Sequence, residues 1–511
     1  MKINLIEYFV EILAKDSERI AVIEGDKKIS FHQLDEMART IATKILSLKD
    51  IKNKPIALFL PKSIASVASD IAITYSGNTY MNLDVKTPSF RIKNIIELIE
   101  PEILITDSKH SQFVVDLISP KTIVINLDEE LEEALDTRSL LNRLSSLIDT
   151  DPYCIINTSG STGTPKGVVL CHRSFFDFTE WSIDTLKIGD AEIIGSLSPL
   201  VFDIYSHELC MLMAKGSTMV LIPDSLAAFP AAILQMLQKH KVTFIFWVPT
   251  IMVNIANMDL LSKIELPDLQ TIWFAGEVFP TKQFNYWKKS LSHGKFVNLY
   301  GPIEITLDCT YYIVDREIAD DEPIPIGYPC RNTEILILNE KDESTQEGEE
   351  GEMCVRGSSL ALGYYNNPEK TSSAFVQNPL NKSYPEFIYR TGDIAYVNNR
   401  GEIVFKGRKD SLIKHLGYRI ELGEIEHVIV NTLKLVSNGC VIYQQQSKEI
   451  VLVYENEAEV FPADFRKKIG QVLPKYMIPT KYIKVEKMPM NANGKIDRLK
   501  LNKEINSIKI T

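Results

Sequence analysis

Short apolar, β-rich runs recur along this chain with helical stretches between them, and that alternation restricts its fold more than any other feature. The runs are KPIALFL, PEILITD, KTIVINL, STMVLIP, VTFIFWVP and LQTIWFAG. Strands alternating with helices predict an α/β architecture built on mainly parallel sheets. Residues 29–48, ISFHQLDEMARTIATKILSL, open with Ser30 and Gln33 at capping-box spacing and continue with helical periodicity. At the start of the sequence, Leu5, Ile6, Phe9, Ile12 and Leu13 share one face of an amphipathic helix. Its carboxylates and the lack of a cleavage site argue against a signal peptide. No apolar run approaches the ~18 residues that a membrane span requires. A soluble, cytoplasmic chain is expected.

A length of 511 residues accommodates two or more domains and a large core. Against 67 Asp and Glu stand 56 Lys and Arg, a net charge of −11, which argues against general nucleic-acid binding. The cysteines (Cys154, Cys171, Cys210, Cys309, Cys330, Cys354 and Cys440) are scattered, with no CxxC. They read as reduced core residues, neither a disulfide frame nor a metal site. The acidic stretch from Asn339 to Glu352 reads as an exposed turn between two strands. After EIVFKGRKD the texture changes, which puts a domain boundary near Lys409 and Asp410 and divides the chain into 1–409 and 410–511. Lysine-rich segments in the second part, such as FRKKIG and the tail from Lys484 to Lys509, are either a solvated face or a docking patch for an acidic partner.

The stretch TSGSTGTPKGV, Thr158 to Val168, carries three glycines, five hydroxyl side chains and Lys166. It is not a P-loop, because the four residues after Gly160 are followed by Pro165 rather than glycine, and Lys166 is followed by Gly167. A small glycine-rich loop between the run YCIIN and the ordered segment VVLCHRSFFDF still lets backbone N–H groups and hydroxyls converge on an anion. A phosphate cradle accounts for the hydroxyls and the lysine better than a plain surface turn does.

TSGSTGTPKGV, FDIYSHE, NLYGPIE, YRTGD, GRKDSLIKHLGYRIELGEIE and NANGKIDR occur in that order. Together they resemble the core motifs of the adenylate-forming superfamily, specifically amino-acid adenylation domains and stand-alone D-alanine–carrier-protein ligases, over roughly residues 20–500. The resemblance implies a large N-terminal domain of mixed α/β subdomains, 1–409, that binds ATP and an amino acid. It also implies a small, mobile α+β C-terminal lid, 410–511, that swings about Asp410. Two half-reactions follow from it: an amino-acid carboxylate attacks the α-phosphate of ATP, and a phosphopantetheine thiol on a carrier protein then takes the acyl group.

Carried over residue by residue, the resemblance assigns Thr158, Ser159, Gly160, Ser161, Thr162, Gly163 and Lys166 to the phosphate loop. Lys495 would be the catalytic ammonium that meets both the attacking carboxylate and the α-phosphate. Asn298, Tyr300 and Gly301 would face the nucleotide, with Tyr300 stacked on adenine. Glu304 would be catalytic through Mg²⁺, since one carboxylate with phosphate oxygens and waters suits that ion. Asp393 would accept the ribose hydroxyls, assisted by Arg408. The family usually has threonine where Ile303 stands, so either Thr306 compensates or nucleotide affinity is lower.

Asp203 matches the aspartate that captures the substrate's α-ammonium; taken alone it reads as a helix-capping residue. A carboxylate in the apolar wall SPLVFD is costly unless it meets a cation. The pocket would be lined by Asp203, Ile204, His207, Phe246, Trp273, Ala275, Leu299, Leu307 and Asp308. An inward Asp308, helped by His207, would favour a polar or basic substrate group; an outward one suits a small apolar amino acid. The sequence shows no carrier-protein serine motif, so loading onto a separate carrier protein is expected. An acyl- or aryl-acid–CoA ligase and a weakly active binding module are the alternatives. Cell-wall D-alanylation and peptide synthesis both remain open as pathways.

Overall fold

The computed structural model describes residues 2–131, 135–160, 165–190, 192–409, 412–445, 447–455, 461–490, 496 and 498–507. Lys495, Asp410, Ser161, Thr162 and Gly163 lie outside the described residues. The fold is α/β, and the chain divides into two compact units. The larger comprises Met1–Val85, Leu98–Ile156 and Gly167–Lys409; the smaller comprises Lys86–Glu97, Asn157–Lys166 and Asp410–Thr511.

All six β-rich runs form strands. Pro55–Phe59, Ile103–Thr106 and Ile123–Asn126 lie side by side and parallel in a seven-stranded sheet. Thr218–Leu221, Phe244–Trp247 and Thr271–Phe274 belong to a nine-stranded sheet. Its core is parallel, with Ile193–Ser196 between the first two and Lys295–Tyr300 beside the third. A five-stranded antiparallel sheet contains Phe387–Val397 paired with Ile403–Arg408.

The nine-stranded sheet is apolar on both faces, as a covered parallel sheet must be. Side chains alternate along each strand, so one strand feeds two cores. Phe244, Phe246, Trp273, Val297 and Leu299 enter one buried cluster. Ile245, Trp247, Ile272, Phe274 and Phe296 enter the other.

The helix expected at 29–48 spans Phe31–Leu48 and begins with the anticipated box: Gln33 N donates to Ser30 Oγ (3.2 Å) and Ser30 N donates to Gln33 Oε1 (2.9 Å). The first helix, Ile6–Asp16, buries Ile6, Phe9 and Ile12 as the periodicity predicts. The acidic turn lies between strands Thr333–Leu338 and Gly351–Gly357 and is largely exposed. All seven cysteines are buried. No helix among the described residues is long and apolar enough to cross a membrane.

In the smaller unit the hairpin Leu412–His415/Tyr418–Glu421 leads into helix Leu422–His427. A three-stranded sheet, Asn438–Gln444, Glu449–Glu455 and Lys481–Lys484, carries the rest of its core. Leu452, Phe465 and Ile469 are buried there.

His172 opens helix His172–Leu186 in the larger unit and accepts a hydrogen bond from Leu5 N at Nδ1 (3.4 Å), tying the first helix down. Burial pushes its pKa down to about 4. The unfolded chain protonates this group near 6.5, whereas the folded one keeps it neutral down to about 4. Its contribution is therefore complete above pH 6.5 and is lost as pH falls, by about 2 kcal/mol at pH 5. Asp70, lifted by burial to about 7, works in the opposite sense, so the comparison must be between proteins rather than between pH values alone. His172→Asn keeps an acceptor for Leu5 but does not titrate. In urea titrations it should lose about 2 kcal/mol less than the wild type between pH 7 and pH 5. Identical pH slopes would contradict a neutral, buried His172.

Candidate functional site

The carboxyl ends of the parallel strands of the nine-stranded sheet are where an open α/β sheet offers a crevice. Several predicted residues lie there: Ala275 follows Thr271–Phe274, and Gly301 follows Lys295–Tyr300. The loop after Ile193–Ser196 delivers Asp203 at the first position of helix Asp203–Lys215. Asp203 is half-buried and accepts a hydrogen bond from Ile204 N (2.9 Å). Its place in the first turn also sets the carboxylate at the positive end of the helix dipole.

His207 sits one turn later on the same helical face, fully buried. Its ring stacks on Trp273 (5.5 Å between centroids, 16° between planes) and meets Phe178 and Phe246 edge-on. Both its ring nitrogens are buried without a hydrogen-bond partner among the described residues, as is Trp273 Nε1. Two other fully buried tryptophans differ: Trp247 and Trp287 each donate to a backbone carbonyl, of Gly195 and Met252. Desolvation pushes His207 down to about 3, so it is a neutral ring at any physiological pH. Ile204, Phe246, Ala275, Leu299 and Leu307 are all buried and belong to one apolar cluster.

Asp308 is buried as well, only 5% exposed. Burial raises the Cys330 thiol well above its ordinary range, and the neighbouring Cys309 and Asp308 add to that.

Tyr300, Asp393 and Arg408, spread over more than a hundred residues, come together. Asp393 and Arg408 are direct partners across the two strands of their hairpin. Arg408 Nη1 donates to Asp393 Oδ1 (2.5 Å), and its Nη2 to Thr391 O (3.0 Å). The Tyr300 hydroxyl donates to Asp393 Oδ2. Burial, and then the Asp393 carboxylate, hold the phenol well above its ordinary pKa, which keeps it a donor. Asn298 donates through Nδ2 to Pro325 O (2.8 Å).

Glu304 lies in the turn Ile303–Ile305, fully buried, and accepts a hydrogen bond from the Tyr364 hydroxyl (2.8 Å). The backbone closes tightly around it: a Cβ at Gly301 would stand 2.1 Å from Leu307 O, so only glycine fits. Thr306 and Leu307 both take left-handed backbone angles, φ 53° and 64°. For a β-branched residue such as Thr306 that is a strained conformation. Its hydroxyl is buried without a partner among the described residues.

In the smaller unit, the described part of the glycine-rich loop is engaged by Arg419–Glu424. Ser159 Oγ donates to Arg419 O (2.7 Å) and accepts from Glu421 N (2.9 Å). Lys166 pairs with Glu421 (2.7 Å), and Gly160 N donates to Glu424 Oε2 (3.3 Å). Arg91 also pairs with Glu424. Thr158 ends strand Pro152–Thr158 and is buried. Sequence reasoning had not singled out Tyr364, Glu421, Glu424 or Arg91 as partners of these groups. No local pattern signals such contacts, since each joins segments far apart in the chain.

Residues 9–365 match the family described as AMP-binding enzyme, and the chain belongs to that family of adenylate-forming ligases. Tyrocidine synthase 1 of Brevibacillus parabrevis is 30% identical over 94% of the chain, which spans 43% of that protein. The chain spans under half the length of the first curated relatives it matches. The Vibrio cholerae adenylation domain AlmE, solved with glycyl-adenosine-5′-phosphate, shares the fold (TM-score 0.84, 20% identity, 99% of this chain and 98% of that one). So does holo-PA1221, a nonribosomal peptide synthetase protein with adenylation and PCP domains (TM-score 0.82, 21% identity, 98% and 84%).

Removing the hydroxyl that Glu304 accepts from leaves a buried acceptor short of a donor, which costs about 1–3 kcal/mol. Tyr364→Phe should lower unfolding stability by that amount in urea titrations. A loss within error of zero would mean that the Tyr364–Glu304 bond is not formed in solution.

Proposed function

We propose that this chain activates an amino acid with a short side chain as its aminoacyl-adenylate, then transfers it to the phosphopantetheine thiol of a carrier protein. The observation that carries the reading is Asp203: a half-buried carboxylate at a helix start, one turn from an aromatic floor. A carboxylate so placed gains most from a cation that it meets directly. An α-ammonium held there presents the substrate carboxylate to the nucleotide. His207 stacked on Trp273 fills the depth behind it, which favours a side chain as small as that of glycine or alanine. The glycyl-adenosine phosphate held by AlmE accords with this size.

In the first half-reaction a carboxylate oxygen bonds to the α-phosphorus, and the bond from that phosphorus to pyrophosphate breaks. Lys495, from the motif it shares with the family, is proposed to offset charge on both reacting groups. Asp393 is proposed to accept the ribose hydroxyls, with Arg408 and Tyr300 holding its carboxylate by the bonds described above. Phosphate binding is assigned to the loop from Thr158 to Lys166, with Lys166 as its cation.

Glu304 offers a hard oxygen donor, which fits magnesium, and no cluster of three or more metal-ligating side chains occurs among the described residues. Magnesium would thus take most of its ligands from phosphates and water, and would neutralise phosphate charge there. In the second half-reaction the thiol sulfur attacks the acyl carbon and AMP departs. We assign the swing between the two halves to Asp410, and docking of an acidic carrier to the lysine-rich part of 410–511. PA1221 carries an adenylation and a PCP domain in one protein, which supports a carrier protein as the acceptor.

The test is amino-acid-dependent ATP–pyrophosphate exchange, with glycine, L- and D-alanine, β-alanine, larger amino acids, and fatty and aryl acids. Exchange should be strongest with the smallest amino acids. Asp203→Ala should raise the amino-acid KM at least tenfold with ATP KM little changed, a loss of more than about 1.4 kcal/mol of binding. Exchange with an aryl or fatty acid alone would instead make this a CoA-type ligase. Lys495→Ala should abolish exchange but still transfer a supplied adenylate to the thiol; equal loss of both steps would remove the lysine from the first.

A further inference from the structure

The loop that delivers Asp203 is gripped from beneath by polar groups that lie far from it in sequence. Lys62 stands between strand Pro55–Phe59 and helix Ile64–Tyr75, and only 4% of its side chain is exposed. Its Nζ donates to three successive carbonyls, Ser196 O (3.1 Å), Leu197 O (3.0 Å) and Ser198 O (3.2 Å). Asn82, at the end of strand Thr79–Asn82, donates through Nδ2 to Leu200 O (3.2 Å) and to Asp70 Oδ2 (3.2 Å). Asp70 also accepts from the Tyr205 hydroxyl (2.8 Å), in the first turn of the helix that Asp203 begins. Glu208, on the same helix, accepts from Ser196 Oγ (2.5 Å). The segment from Ser196 to Tyr205 is thereby tied at its start, middle and end.

A buried ammonium is expensive to desolvate; this one pairs with Asp224 (3.6 Å) and gives its donors to backbone carbonyls that a loop would otherwise leave to water. Bonds from an ionised donor are stronger than neutral ones. Three on consecutive residues fix the path of the loop rather than a single atom. Asn82 supplies the second anchor two residues further on.

We propose that Lys62 and Asn82 are positioning residues that clamp the 196–200 loop, fixing where Asp203 meets the substrate's ammonium. The inference rests on the reading of Asp203 given above. It makes the two residues determinants of amino-acid affinity though neither touches the amino acid.

Lys62→Met retains the length of the side chain and removes the donors; Lys62→Arg retains donors to carbonyls. In the exchange assay Lys62→Met should raise the amino-acid KM about tenfold or more, with ATP KM within about twofold, and Lys62→Arg should recover most of the loss. Asn82→Ala should move the same parameter in the same direction, and serves if Lys62→Met does not fold. Parallel rises in both KM values, or no change in the amino-acid KM, would overturn the positioning role.

Hydrogen exchange gives a readout that needs no turnover. Amides of residues 197–204 should exchange faster in Lys62→Met, with strands 244–247 and 271–274 unchanged. Equal exchange in the two proteins would sink the clamp. A wild-type protein that activates no amino acid, yet shows this exchange difference, would sink the amino-acid reading and leave the clamp in place.

Discussion

A parallel sheet with both faces covered must alternate its side chains between two interiors, and everything around the candidate site depends on that sorting. In Phe244–Trp247 the residues Phe244 and Phe246 face one core, while Ile245 and Trp247 face the other. Thr271–Phe274 repeats the division with Trp273 against Ile272 and Phe274. Slipping one strand by a single residue would exchange the two sets. Phe246, Trp273 and Leu299 share a face because the register holds Phe246 opposite Trp273 and Trp273 opposite Val297. The aromatic floor beneath Asp203 is thus a product of strand pairing.

Tyr300 ends its strand and reaches Asp393 on another sheet; Glu304 follows within one turn and meets Tyr364. These bonds tie the antiparallel sheet to the nine-stranded one, and the turn at 303–305 to strand Gly363–Tyr364 of the seven-stranded sheet. The strained backbone at Thr306 and Leu307 and the obligatory glycine at 301 show how closely this turn is folded on itself. Strain of this kind persists only where surrounding packing over-determines the conformation.

Buried polar groups fall into two classes here. Lys62, Asp70, Asn82 and Glu208 are bonded to the loop before Asp203 or to the helix it begins, which makes them structural anchors. His207 and Trp273 hold polar nitrogens with no partner among the described residues, an arrangement that costs stability. That cost is borne where the stacked rings close the floor of the site.

Much of the architecture was legible from local pattern. The six apolar runs became strands, the Ser30–Gln33 box opened its helix, and the Asn339–Glu352 stretch is an exposed turn, because each depends on periodicity or on contacts a few residues apart. The membership of Tyr300, Asp393 and Arg408 in one family pattern was readable too, but their mutual hydrogen bonds were not. The burial of Asp308 was not readable from its sequence neighbours, and the fold decides it. The left-handed backbone at Thr306 and Leu307 had no signal in the sequence. The sequence by itself determined which elements form and which motifs the chain carries, since hydrophobic period and turn chemistry act over short range. Only the tertiary structure decided that His207 is a neutral ring against Trp273 and that Lys62 holds the loop before Asp203. Burial and partnership are properties of segments brought together from far apart in the chain, and no local pattern encodes them.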